Sequence, residues 1–208
     1  GEKIIAELLS EQRESVEFIC TTDPQFSFER SYLTDERGMK QISALKTPGK
    51  LLAVVRIPVP KASNSDLIIA LDGIQDPGNL GTIIRTADWF GISSIVCSKD
   101  TVDCFNQKVV QATMGSLFRM SIQYVDLDSY LAETSIPIYG ALLDGKDMYS
   151  SPMEKQGILL IGNEGKGISN VIKAHVTHPI LIPKYGEAES LNAAMATGII
   201  LAEYKRMN

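Results

Sequence analysis

Hydrophobic positions after residue 66 fall into short aliphatic runs separated by helical patterns. The runs do not alternate with polar residues, which is typical of strands buried on both faces of a parallel sheet. Two helical patterns stand out, Leu80–Phe90 with its apolar face and the alanine-rich Leu191–Arg206. The pattern predicts an α/β domain with crossover connections. The predicted strands are Leu67–Leu71, Ser94–Cys97, Ile122–Val125, Ile136–Leu143, Gly157–Ile161 and Ile180–Ile182.

A smaller unit precedes this domain. Its boundary is the segment PVPKASNSD at residues 58–66, where two prolines and several turn-forming residues interrupt regular structure. We predict a small α/β domain at 1–61, a linker at 62–66 and a second domain at 67–208. The elements predicted in the first domain are helices at Lys3–Leu9 and Asp35–Leu45 and strands at Val16–Cys20 and Leu51–Ile57.

Composition narrows the class of protein. The chain is 44% hydrophobic and 22% charged, which is ordinary globular usage and excludes a disordered chain. Its longest apolar stretches are five residues long, too short to span a bilayer, so no membrane partner is expected. Three cysteines without a CxxC pair favour a reducing cytoplasm, and His175 and His178 lack a third ligand, so no metal site is expected. The net charge of −5 argues against a general nucleic-acid binder.

Three polar, glycine-containing loops follow predicted strands. They are Asp72–Gly81, Gly162–Gly167 and Ile182–Asn192. Ligands bind outside the carboxyl ends of strands in open parallel sheets, so these loops predict one ligand site. Neither Walker spacing nor GxGxxG is present, and Glu164 would repel a phosphate, which argues against a nicotinamide-dependent oxidoreductase.

Several polar residues in these loops have a structural and a functional interpretation. Asn79 is placed to cap the following helix, and Ser190 to cap the last helix, with Asn192 bonding backbone in the same turn. Arg85 lies in mid-helix, off the apolar stripe. It either pairs with Asp88 on the surface or reaches back to a phosphate or carboxylate.

The three loops resemble the signatures of the SpoU/TrmH family of RNA 2′-O-ribose methyltransferases, within the SPOUT class. The signatures occur here in the family's order and with its spacing, from Leu67 to Arg206. The segment FNQKVVQATMGSLFR at residues 105–119 is similar to the family's intervening loop. The signatures read LDGIQDPGNLGTIIRTADWFG, LLIGNEGKGIS and LIPKYGEAESLNAAMATGIILAEYKR.

The resemblance implies a fold that periodicity does not reveal. The mainly parallel sheet would end in a deep C-terminal trefoil knot that binds S-adenosylmethionine, and the protein would be a homodimer. The N-terminal part is similar to an L30e-like substrate-binding domain. Its start at Gly1 resembles a family stretch that a basic helix normally precedes, so the domain is expected to begin upstream.

The resemblance also assigns residues. Arg85 matches the family's catalytic arginine, and the polar residues expected around it are Asn79, Glu164, Ser190 and Asn192. The expected cofactor contacts, largely through backbone atoms, are Ala141, Leu142, Gly162, Ile182 and Leu191.

The implied reaction transfers a methyl group from a sulfonium to a ribose 2′-hydroxyl. The enzyme must align the oxygen and help to remove its proton. A guanidinium is ordinarily a poor base, because its pKa is about 12.5 or above. Two roles are therefore open for Arg85: a base perturbed by its surroundings, or a clamp on the RNA phosphate that stabilises the alkoxide. Ser190 is expected to orient Arg85 by a hydrogen bond.

Two positions depart from the family pattern: Lys184 replaces an apolar residue and Gln111 a common arginine. Lys108 and Arg119 remain as basic candidates for RNA contact. Positive charge is not concentrated in either part of the chain. Residues 1–66 hold 9 basic and 10 acidic side chains, and residues 67–208 hold 11 basic and 15 acidic ones. Binding must therefore come from local patches.

The expected substrate is ribosomal RNA, because the L30e-like part resembles a module for ribosomal RNA. A tRNA methyltransferase and a non-catalytic RNA-binding or ribosome-assembly protein on the same fold are the alternatives.

Overall fold

The computed structural model describes residues 1–58 and 65–208. The chain divides into two compact units, Gly1–Val59 and Pro60–Asn208. Residues 62–64 of the predicted linker lie outside the described residues.

The first unit contains a three-stranded sheet and two helices. The central strand β1 pairs in parallel with β2 and antiparallel with β3. The side chains of Ile5, Val16, Ile19 and Met39 are among those buried in its core. The elements are α1 (Glu2–Glu11), β1 (Val16–Thr21), β2 (Ser31–Leu33), α2 (Glu36–Ile42) and β3 (Leu51–Val55).

Two predictions in this unit were incomplete. Strand β2 was missed, because it has only three residues and two of them, Tyr32 and Leu33, are exposed. Helix α2 is capped by Asp35, whose carboxylate accepts a hydrogen bond from the Gly38 amide at 2.7 Å. It ends at Ile42, three residues before the predicted end, where the backbone of Ser43 turns extended.

The second unit is built on a six-stranded sheet in the order β6-β5-β4-β8-β7-β9. Every strand pairing in this sheet is parallel. The strands are β4 (Leu67–Asp72), β5 (Ser94–Ser98), β6 (Ser121–Val125), β7 (Ile138–Asp147), β8 (Gly157–Gly162) and β9 (His178–Leu181). The helices are α3 (Pro77–Trp89), α4 (Gln107–Thr113), α5 (Leu127–Ala132), α6 (Asn170–Lys173) and α7 (Ala193–Met207).

Strand β7 is longer than predicted and loops outward in its middle. Ile180 of β9 pairs with both Ala141 and Lys146, so residues 142–145 form a bulge outside the pairing of β7 with β9. A Cβ atom at Gly145 would lie 2.6 Å from the Ile180 carbonyl carbon, and glycine alone avoids that contact. The trefoil knot implied by the resemblance stays a prediction.

Candidate active site

The order of the strands selects one place on the sheet for a ligand. Strands β4 and β8 are neighbours, but the chain leaving β4 continues to β5 on one side while the chain leaving β8 continues to β9 on the other. Such a topological switch point opens a crevice at the carboxyl ends of the two strands. Asp72 and Gly162, which pair in register, are the last residues of those strands. Two of the three predicted loops start there.

The loop after β8 is fixed by Asn163, a residue that the sequence analysis missed. Its side-chain oxygen accepts hydrogen bonds from the Gly165 and Lys166 amides at 2.9 and 3.1 Å. Its side-chain nitrogen donates to the Gly73 carbonyl in the loop after β4, at 2.6 Å. The sequence signal that could have identified Asn163 is its position, since it is a polar residue directly after a buried strand.

The same two loops are tied a second time by Asp72, which is 8% exposed. Its carboxylate accepts a hydrogen bond from the Ser169 amide at 2.7 Å. A buried carboxylate requires such partners, because desolvation without them is costly. The crevice is therefore held rigid by side chains within the fold, and the sequence pattern gave no sign of this bond.

Replacing Asp72 with alanine is expected to lower the free energy of unfolding by about 1–3 kcal/mol, because the Ser169 amide would lose its partner. Urea denaturation followed by circular dichroism measures this change. The matched control is Asp144→Ala, which removes an exposed carboxylate paired with Lys173 at 3.0 Å and should have little effect. An equal loss in both variants would contradict the role given to Asp72.

Three side chains from three loops form a hydrogen-bonded chain. Asn79 donates to the Glu164 carboxylate at 2.7 Å, and Asn192 donates to the Asn79 side-chain oxygen at 2.7 Å. The structure therefore brings together three of the predicted polar residues.

Two predicted helix caps were wrong, Asn79 for α3 and Ser190 for α7. Asp76 caps α3 by accepting the Asn79 amide at 2.8 Å, which leaves the Asn79 side chain for Glu164. Asn192, and not Ser190, caps α7, since its side-chain oxygen accepts the Ala194 and Met195 amides. Asn192 therefore caps a helix and joins the polar group at once.

Arg85 lies apart from this group. It is exposed on α3, one turn before the exposed Trp89. Among the described residues its guanidinium makes no ion pair and no hydrogen bond, so the expected bond from Ser190 is not formed. The alternative pairing of Arg85 with Asp88 is also wrong, because Arg119 occupies Asp88 at 2.7 Å.

The ion pair between Asp88 and Arg119 affects Arg119 as a candidate for RNA contact. Burial raises the pKa of Asp88, but hydrogen bonds from Arg119 and Ser116 outweigh it and leave that pKa below its ordinary value. Asp88 neutralises much of the charge that Arg119 would offer to RNA. Lys108 is exposed at the start of α4 and makes no ion pair with a described residue.

The expected cofactor positions lie at the same edge of the sheet. Gly162 ends β8, Ile182 follows β9, and Ala141 and Leu142 stand where β7 begins to loop outward. A Cβ atom at Gly162 would lie 2.2 Å from the Ile168 amide nitrogen and 2.3 Å from the Gly167 carbonyl carbon. The loop thus folds directly onto Gly162, which permits close backbone approach there. Leu191 is 48% exposed before α7.

Other features of the described residues lie away from this edge. A cleft of about 340 Å³ opens at the amino ends of the strands, lined in part by Asp66, Lys155 and Tyr204, and it contains none of the predicted site residues. In the described part of the chain, no group of three His, Cys, Asp or Glu side chains is arranged to hold a metal ion. None of the helices described is long and apolar enough to cross a bilayer.

Fold and site together define a class of protein. A parallel α/β sheet with a polar crevice at its switch point is a ligand-binding enzyme domain, and its three loops carry the signatures of RNA methyltransferases. A model of the SpoU rRNA Methylase family matches residues 66–202. The chain therefore belongs to the SpoU/TrmH family of RNA methyltransferases, as the resemblance predicted.

Individual relatives support the membership of this family. The 23S rRNA (guanosine(2553)-2'-O)-methyltransferase RlmP of Bacillus subtilis is 34% identical over 174 residues, which cover 82% of this chain and 70% of that protein. The structure of an RNA methyltransferase of the TrmH family from Porphyromonas gingivalis is 36% identical, with a TM-score of 0.90 over 100% of this chain and 88% of that one.

A third relative carries a cofactor. The rRNA methyltransferase of Sinorhizobium meliloti, solved with AdoMet bound, is 28% identical, with a TM-score of 0.81 over 99% of this chain and 85% of that one. These structures confirm the predicted fold class, a mainly parallel α/β sheet of the SPOUT type.

Proposed function

We propose that the protein transfers a methyl group from S-adenosylmethionine to a ribose 2′-hydroxyl in ribosomal RNA, in the cytoplasm. The observation that carries this proposal is the chain Glu164–Asn79–Asn192 at the switch point beside Gly162. It places polar side chains that can position a hydroxyl next to the strand end that carries Gly162. The membership of the family and the name of the Bacillus subtilis relative support the reaction.

The residues present fit S-adenosylmethionine. The Cβ position of Gly162 is filled by the backbone of Gly167 and Ile168, so the loop after β8 packs directly on the strand end and shapes the edge on which the cofactor would bind. Ala141, Leu142, Ile182 and Leu191 add apolar surface suited to an adenine ring and a methionine chain. When bound, the cofactor supplies a methyl group already activated by the positive sulfonium. The protein must then bind, align and deprotonate the hydroxyl.

Arg85 is the proposed catalytic residue. In one chain its guanidinium is free of carboxylate partners among the described residues, so its charge is available to a phosphate or a developing alkoxide. This favours the clamp over the base, since deprotonating an exposed guanidinium is unfavourable. Ser190 is exposed and needs RNA or a second chain to bring it to Arg85.

A homodimer is part of the proposal. Trp89 is 85% exposed and Met195 is 61% exposed, on the two helices α3 and α7. Large exposed apolar side chains mark interaction surfaces. A second copy packed against Trp89 would also lie close to Arg85, one turn earlier on α3.

The substrate class is tested by methyl transfer. The protein is incubated with radiolabelled S-adenosylmethionine and either 23S rRNA or tRNA, both transcribed in vitro and so unmodified. Label in 23S rRNA supports the proposal, and label confined to tRNA would favour the tRNA alternative. Binding of RNA without transfer to either would favour the non-catalytic alternative, and the L30e-like first unit would then be the RNA-binding part.

A further inference from the structure

The basic residues of the second unit divide into two groups. Residues 67–208 contain 11 lysines and arginines. Four of these make ion pairs: Arg119 with Asp88, Lys155 with Asp66, Lys173 with Asp144 and Arg206 with Glu203. Lys205 lies over the ring of Tyr204. Lys99 lies near Asp126, whose pKa is lowered mainly by hydrogen bonds from Ser129 and to a smaller extent by the charge of Lys99.

The remaining five are exposed and make no ion pair with a carboxylate of the described residues. They are Arg85, Lys108, Lys146, Lys166 and Lys184. Four of them lie in the segments that follow β4, β5, β8 and β9, and Lys146 lies within β7, next to the bulge at residues 142–145.

Cations without a carboxylate partner attract phosphates more strongly than paired ones. The carboxylate of an ion pair neutralises much of the lysine's charge, whereas an unpaired lysine presents its full charge to a phosphate. In a chain with a net charge of −5, the RNA strand is therefore attracted locally rather than by the protein as a whole.

Two of these lysines lie closest in sequence to the cofactor positions. Lys166 is four residues after Gly162, and Lys184 is two residues after Ile182. Strands β8 and β9 are separated only by β7, so their ends lie about 10 Å apart, at about 4.8 Å per strand.

An aromatic side chain follows Lys184. Tyr185 is 94% exposed, and no described residue packs on its ring. Aromatic side chains beside lysines are the usual contacts for unstacked bases in single-stranded RNA. The same loop carries Glu187 and Glu189, and neither pairs with Lys184. These carboxylates repel phosphates, so stacking is needed to hold the strand there.

We propose that Lys166, Lys184 and Tyr185 bind the RNA strand next to the target ribose, the two lysines contacting phosphates and the Tyr185 ring stacking on a base. The proposal rests on the proposed function and deepens it, since it specifies a single-stranded segment as the form of the substrate. It also makes Lys184, a departure from the family pattern, a residue for RNA in this chain.

The test is filter binding of the full chain to unmodified 23S rRNA transcribed in vitro, at salt concentrations from about 50 to 200 mM. Lys166→Gln combined with Lys184→Gln should flatten the slope of log affinity against log salt by about 1.4, at about 0.7 per phosphate contact in a single strand. Tyr185→Ala should weaken binding by about 5-fold or more and leave the slope unchanged.

The matched control is Lys155→Gln combined with Lys205→Gln, which removes the same charge at the amino edge and should bind like the wild type. Variants at Lys166, Lys184 and Tyr185 that bind 23S rRNA with the control's affinity and slope would overturn the inference. Methyl transfer by the wild type is measured in the same preparation. A wild type that binds RNA but transfers no methyl group overturns the proposed function instead.

Discussion

Arg85→Ala is expected to reduce methyl transfer to RNA by at least about 100-fold, while S-adenosylmethionine binds as in the wild type. The reason is that a cation aimed at developing negative charge stabilises the transition state, and removing one such group typically costs 100- to 1000-fold in rate, or about 3–4 kcal/mol. Arg85 lies on α3 and is not one of the expected cofactor positions, so the cofactor should lose no contact.

Two measurements separate these effects: single-turnover transfer of radiolabelled methyl groups, and calorimetric titration with S-adenosylmethionine. Arg85→Lys distinguishes the roles still open, because lysine keeps the charge but not the planar fork that grips a phosphate. Lys155→Ala, at the opposite edge of the sheet, is the control for loss of a cation. Equal loss of transfer and of cofactor binding in Arg85→Ala would remove Arg85 from the catalytic role.

Gly162→Ala is expected to abolish binding of S-adenosylmethionine, with affinity lowered by at least about 100-fold. The added Cβ atom would meet the Ile168 nitrogen at 2.2 Å and the Gly167 carbonyl carbon at 2.3 Å, and both are backbone atoms that cannot rotate away. The loop would have to move from β8, which breaks the hydrogen bonds that Asn163 makes with it. Overpacking of this kind typically costs about 1–3 kcal/mol of stability as well.

The same loop offers a matched control. At Gly165 an added Cβ atom meets only the Asn163 side-chain oxygen, at 3.7 Å, which is ordinary contact. Gly165→Ala should therefore bind S-adenosylmethionine like the wild type. Calorimetric titration is compared with circular dichroism, so that a misfolded variant is recognised. A folded Gly162→Ala that binds the cofactor normally would show that the packing of the loop on Gly162 is not needed for the cofactor.

The fold could be predicted from the sequence where burial is continuous. Strands β4, β5 and β8 are short aliphatic runs buried on both faces, and their predicted ranges end within one residue of the observed ones. Periodicity could not supply the order of the strands. It gives no signal that β8 inserts between β4 and β7, and the switch point depends on that insertion.

Some residues of the candidate site could be predicted from the sequence, and others could not. Asn79, Glu164 and Asn192 were expected from the resemblance, and the structure joins them. Asn163 and Asp72 were missed because their partners are backbone carbonyl and amide groups that lie far away in sequence or inside a turn. Such bonds leave no periodic trace. The interpretation of Asn79 as a cap failed because Asp76, three residues earlier, caps α3 instead.

We expect the methyl group to be transferred to a ribose oxygen of ribosomal RNA. Mass spectrometry of nucleosides from unmodified 23S rRNA, incubated with the protein and deuterated-methyl S-adenosylmethionine, tests this directly. We expect one 2′-O-methylated nucleoside carrying the label on its ribose, present with the wild type and lost with Arg85→Ala. Label on a base, or a ribose methyl that persists in Arg85→Ala, would contradict it.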